Sequence, residues 1–262
     1  MRPIICDTNI WYDIANNKIN LDILKQVRLI GTSVNITEIS SSPNIVNDID
    51  LTVRTIKAFR KNHDFILINN PMEHLISVFH QDYEPNSKVE DDLLKGFELL
   101  LNIDIKEIPQ HGFDEAKRRL AKINEGKQKL VDLINTGLPE VRERIKRGIR
   151  KKNHRKIDFT KTWKKFISDA VHLYSKEYCN KEYIIDIEDE NWSKLELFIN
   201  TWENYFKELD VSKTKIKPND WADLFNLVYV QPEFYYWTND EPWNRLFEKN
   251  ELLLKYQYNY GT

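Results

Sequence analysis

Apolar and polar positions follow two rhythms along this chain, and the change of rhythm divides it. A short β-branched run, Ile4, Ile5 and Cys6, stops abruptly at Asp7, Thr8 and Asn9. It is too short for a helix and predicts a buried strand over 3–6. Residues 21–27 (LDILKQV) predict a short helix, and 28–34 (RLIGTSV) a second strand, followed by NITEISSSP. From Val46 to Arg60 the apolar positions Val46, Ile49, Val53, Ile56 and Phe59 recur every three or four residues, as on an amphipathic helix. Residues 64–71 (DFILINNP) predict a third buried strand closed by Asn-Asn-Pro. Strand and helix alternating at this spacing predict an α/β unit with a parallel sheet.

The middle of the chain is helical in pattern. Leu120, Ile123, Leu130 and Ile134 make one stripe, interrupted at Gly137 and Pro139, and Val141, Ile145 and Ile149 begin another. Trp163, Phe166, Ile167, Ala170, Val171, Tyr174 and Tyr178 form a strongly aromatic stripe. Leu195, Phe198, Trp202, Tyr205 and Leu209 form the next, and 182–187 (EYIIDI) suits strand or helix. After Pro218 the alternation returns. NDWADLFNLVYV predicts a helix with Asn219 as N-cap, EFYYW (233–237) a strand, TNDEPWNRLF a turn and helix, and ELLLKYQY a last strand. The economical reading is an α/β core of residues 1–87 and 215–262 interrupted by a helical insertion over 88–214, against two separate domains.

Composition narrows the class. The 262 residues suffice for a substantial core, and a net charge of −2 gives no global attraction to nucleic acid or membrane. Two cysteines, Cys6 and Cys179, support neither a disulfide framework nor a zinc cluster. No apolar run approaches the roughly 20 residues of a spanning helix, and a soluble, cytoplasmic protein is expected. Six scattered histidines show no ligand spacing.

The chemistry concentrates in acids. Asp7 ends the first strand, Glu38 follows the second at an expected helix start, and Asp240 follows the strand FYYWT. In an open parallel sheet such strand ends converge on the edge where ligands bind. Asp220 and Asp223, three apart, share a helix face with Leu224, Leu227 and Val228. Carboxylates gathered on an inward face repel and drift toward protonation. A hard cation such as Mg²⁺ or Mn²⁺ resolves this with oxygen ligands. Each acid also has an ordinary explanation: a cap for Asp7, a favourable helix dipole for Glu38, capping for Asp220, a turn for Asp240.

Taken together, CDTNI around Asp7, NITEIS around Glu38, NDWADLFNLVYV around Asp220 and Asp223, and YYWTNDEPW around Asp240 resemble the PIN-domain nuclease family. The resemblance covers roughly residues 1–70 and 215–258; the helical insertion departs from the compact family form. It implies a PIN-like three-layer core with a parallel sheet, and metal-dependent hydrolysis of phosphodiesters, most often in RNA. It further implies Asp7, Asp223 and Asp240 as ligands of Mg²⁺ or Mn²⁺, with Glu38 at a second metal position or orienting water. Asp220 is the reserve ligand, and Asn9 and Thr238 would support the acids or a phosphate.

A local basic stretch offers a complementary surface. Residues 142–156 hold Arg142, Arg144, Lys146, Arg147, Arg150, Lys151, Lys152, Arg155 and Lys156 against one Glu. Such a cluster engages nucleic acid by counterion release, although a solvated helix face has the same composition. The aromatic stripe from Trp163 to Tyr178 suits core packing better than base stacking. The expected partners are RNA rather than DNA, and an antitoxin or a second copy of the chain. A catalytically silent PIN-like RNA-binding or scaffold module is the alternative. A phosphotransferase with Asp7 as nucleophile is disfavoured, because Asn9 stands where its second acid belongs, and no Gly-rich phosphate loop is present.

Overall fold

The computed structural model describes residues 2–85, 94–99, individual helical positions between 114 and 136, and 159–259 except 213, 214 and 216. The basic stretch 142–156 and the stripe from Val141 to Ile149 lie outside the described residues, as do Ile123, Leu130 and Ile134. Among the described residues no helix is long and apolar enough to cross a membrane.

The protein is an α/β structure around four parallel strands. In chain order β1 (Ile4–Cys6), β2 (Leu29–Thr32), β3 (His63–Leu67) and β4 (Tyr235–Trp237) pair in the order β3-β2-β1-β4. The registers set Ile4 beside Leu29 and Tyr235, and Ile5 beside Ile30 and Tyr236. β1 and β2 are buried along their whole length, as expected of apolar strands covered on both faces. β3 differs from expectation: it is a partly exposed edge strand, and Phe65 remains 37% exposed. Among the described residues the order leaves it a single neighbour, β2.

Between β1 and β2 run α1 (Thr8–Ala15) and α2 (Leu21–Leu24). Between β2 and β3 run α3 (Ser33–Ser40), α4 (Asn44–Asn47) and α5 (Ile49–Asn62), and α6 (Pro71–Phe79) follows β3. The later helices are α7 (Phe159–Tyr178) and α8 (Glu196–Ser212), then α9 (Pro218–Asn226), α10 (Glu241–Glu248) and α11 (Glu251–Leu254). Alternating strand residues feed two cores. Ile4, Cys6, Leu29 and Trp237 pack with α1, α3 and α5, and Phe97 joins them. Ile5, Ile30 and Tyr236 pack with Ile167 and Val171 of α7, Phe198 and Trp202 of α8, and Leu224 of α9. The described helices of the middle region therefore share a core with the sheet.

Three local expectations are corrected. ELLLKYQY is not a strand: Asn250 caps α11 by accepting from Leu252 N at 2.9 Å, and only Gln257 bridges to Tyr236. Residues 182–187 are neither strand nor helix. Tyr183 and Ile185 are buried while Ile184 is exposed, and α7 serines satisfy the backbone: Tyr183 N donates to Ser175 Oγ (2.9 Å) and Ser168 Oγ donates to Ile185 O (2.7 Å). The helix after residue 216 begins at Pro218 rather than after Asn219, with Lys217 in the cap position, because proline suits the first helical turn. The aromatic stripe is chiefly core: Trp163 lies 4.2 Å from Phe206 and 5.4 Å from Trp202 between ring centroids. Phe166 and Tyr178 are its exposed members.

Gly31 shows how closely α5 lies on β2. A Cβ there would sit 2.2 Å from Phe59 Cζ, inside a fully buried ring. Gly31→Ala is expected to destabilise the fold by about 1–3 kcal/mol through overpacking, read as a lower urea midpoint at unchanged slope. Wild-type stability would contradict the close approach.

Candidate metal centre

The carboxyl edge of the sheet is built by tying off β1. The Cys6 carbonyl accepts from Asn35 Nδ2 (3.1 Å) and Asn226 Nδ2 (3.2 Å), and Thr32 Oγ1 donates to Asn226 Oδ1 (2.7 Å). Asp7 N donates to Trp237 O at 2.8 Å, so the chain leaves the sheet at Asp7. Asp7 then caps α1, Oδ1 accepting from Thr8 N at 2.6 Å. Its other oxygen, Oδ2, accepts from Thr238 Oγ1 at 2.6 Å and Asn9 Nδ2 at 2.9 Å. The capping explanation for Asp7 is therefore correct but accounts for only one of its oxygens.

Glu38 is not at a helix start. Thr32 caps α3 through a reciprocal pair with Asn35, which starts the helix immediately after β2 and carries Glu38 to its second half. From there Glu38 Oε2 accepts from Thr8 Oγ1 at 2.5 Å, and Asn35 Nδ2 donates to the same hydroxyl at 3.1 Å. Asp223 enters from α9, Oδ2 accepting from Trp243 Nε1 at 2.9 Å. One carboxylate oxygen each from Asp7, Glu38 and Asp223 lies within 4.8 Å of the others. Asp7 is buried, and Glu38 and Asp223 are half-buried.

The remaining predicted residues surround this triad. Asp240 stands three residues beyond β4 as the N-cap residue of α10, its N–H donating to Thr238 Oγ1 at 3.0 Å. Its Oδ1 is buried with no hydrogen-bond partner among the described residues. Thr238 Oγ1 thus serves Asp7, Asn9 and Asp240 together. Asp220 is outside the triad: Oδ2 accepts from Lys217 N at 2.7 Å and from the Tyr205 hydroxyl, and its charge is felt by Asp240. Thr8, Asn35, Asn226, Tyr205 and Trp243 were missed from sequence. Asn35 carried a usable signal, one helical turn before Glu38; Trp243 and Tyr205 carried none beyond ordinary core aromatics.

Burial dominates the electrostatics. It pushes the Asp7 carboxyl up to about 7, opposed by the Thr238 hydrogen bond and reinforced by the Glu38 charge. Burial likewise pushes Asp223 up to about 9, with the Asp7 and Glu38 charges adding and the Trp243 N–H opposing. Asp240 is raised too, by burial and then by Asp220. Among the described residues, Asp7 and Asp223 are met by hydroxyl, amide and indole donors rather than by lysine or arginine. This all-oxygen, net-negative donor set fits a hard divalent cation, and Asp7, Glu38 and Asp223 are the residues that could hold one.

Comparison with protein-family models, curated proteins and solved structures gives no match to this chain.

A raised carboxyl pKa means that the folded protein binds protons more tightly than the unfolded chain. Unfolding releases them, so stability falls as pH rises. The stabilising protonation is fully present below the ordinary carboxyl value near 4 and is lost as pH climbs through about 7 and about 9. In metal-free buffer the melting temperature should drop by several degrees from pH 5 to pH 9. Asp223→Asn should flatten that slope; an unchanged slope would contradict the burial assigned to Asp223.

Proposed function

We propose that the protein is a divalent-metal-dependent nuclease acting on RNA, with Asp7, Glu38 and Asp223 holding Mg²⁺ or Mn²⁺ at the carboxyl edge of the sheet. The observation that carries this reading is the meeting of three carboxylate oxygens, from elements far apart in sequence, within 4.8 Å. Charge repulsion alone would drive such groups apart or toward protonation, and a bound cation offsets it. The PIN-like order of Asp7, Glu38, Asp223 and Asp240 along the chain supports the same chemistry.

When bound, the cation supplies an activated water and offsets charge on a phosphate oxygen. The chain's own groups do the positioning. Thr238 and Asn9 fix one oxygen of Asp7, and Thr8, itself held by Asn35, fixes one oxygen of Glu38. Asp240 stands beside this triad, one of its oxygens buried with no hydrogen-bond partner among the described residues. The basic residues of 142–156 would add attraction for a polyanion by counterion release.

Cleavage of labelled single-stranded RNA and DNA with Mn²⁺ tests the reading. Wild type should cut RNA in preference to DNA and stop when the metal is chelated. Asp7→Asn and Asp223→Asn should each lose about 100-fold or more in rate. Asp220→Asn should stay within a few-fold of wild type, since Asp220 is outside the triad and one of its oxygens is taken by Lys217 N and Tyr205. Salt-sensitive RNA binding with no cutting at any metal concentration would overturn the enzyme in favour of a silent binding module.

A further inference from the structure

Two acids on α9 lie one turn apart on one face, so helix geometry alone offers the metal centre either of them. Two aromatic side chains from other elements treat them differently. Trp243, in the first turn of α10 and only 5% exposed, donates its indole N–H to Asp223 Oδ2 at 2.9 Å. Tyr205, on α8, donates its hydroxyl to Asp220 Oδ2. The two rings stack on each other, with centroids 5.4 Å apart and planes 28° from parallel. One continuous aromatic unit therefore grips both carboxylates, each by a single polar atom, and α8 packs against both α9 and α10.

We propose that Trp243, backed by Tyr205, is a positioning residue that presents Asp223 to the divalent cation and holds Asp220 aside. The proposal rests on the metal-site reading above and deepens it. An indole N–H suits the task because it donates only one hydrogen bond. It engages one of the two Asp223 oxygens and brings no positive charge that would compete with a cation. The buried ring has little rotational freedom, and Tyr205 closes one of its faces. Outer partners that orient a ligand in this way typically change metal affinity by about 10- to 100-fold when removed. The Tyr205 hydroxyl and Lys217 N both bond Asp220 Oδ2, so that this carboxylate is engaged within its own surroundings while Trp243 directs Asp223. A helix from the middle of the chain thereby supports the acidic site without touching the cation.

The test is Mn²⁺ binding by calorimetry to the full chain, in wild type, Trp243→Phe and Asp220→Asn, with the metal-free melting temperature of each recorded. Trp243→Phe keeps a ring and removes the donor; it should weaken Mn²⁺ binding by about 10-fold beyond any loss of stability. Asp220→Asn should bind within about 2-fold of wild type. Equal affinity in wild type and Trp243→Phe would overturn the positioning role while leaving the metal site intact. No Mn²⁺ binding by wild type would overturn the metal site, and the positioning role with it. A second readout needs no variant. With tryptophan labelled by nitrogen-15, Mg²⁺ should shift one of the seven indole N–H signals well beyond the others. If wild type binds Mg²⁺ and none of the seven moves, Trp243 does not hold a ligand.

Discussion

The fold is organised around the burial of acids. Three carboxylates meet where a fully buried parallel strand ends, and two of them are driven toward protonation chiefly by that burial. Neutral donors temper the cost but do not cancel the charge. The side chains of Thr8, Asn9, Thr238 and Trp243 each give one hydrogen bond to an acid, and such bonds fix direction more than they neutralise. In the proposed metal site the same donors would orient the carboxylates, and a bound cation would favour their charged form.

That constraint explains features which otherwise look unrelated. The Cys6 carbonyl needs two side-chain amides, from Asn35 and Asn226, because the chain turns away from the ladder immediately after it. Thr32 and Asn35 form a reciprocal cap, and the same Asn35 also steadies Thr8 against Glu38, so a capping motif doubles as part of the site. Thr238 joins Asp7, Asn9 and the Asp240 backbone in one hydroxyl-centred cluster. Side chains from β2, α3, α9 and α10 are thus committed to the end of one three-residue strand.

Much of the architecture was legible in the sequence because burial leaves a periodic trace. The runs at Ile4 to Cys6 and Leu29 to Thr32 are apolar on both faces, and the α5 stripe ends in Phe59, which lies against Gly31. The edge position of β3 was not legible, since an apolar run says nothing about how many neighbours a strand has. Nor was α11: ELLLKYQY has strand-like composition, and a single Asn250 cap decides it as helix. In the site, strand-end acids were readable from their abrupt polarity. The choice between Asp220 and Asp223 was not, because both sit on one helix face and the partners that separate them, Tyr205 and Trp243, come from distant segments.

The central claim is that Asp7, Glu38 and Asp223 share one divalent cation. Anomalous diffraction from crystals grown with Mn²⁺ at neutral to mildly alkaline pH would locate the metal directly. The account predicts one strong peak enclosed by these three carboxylates, absent when Asp223 is asparagine. A triad without a peak, or Mn²⁺ found only at exposed acids elsewhere, would contradict it.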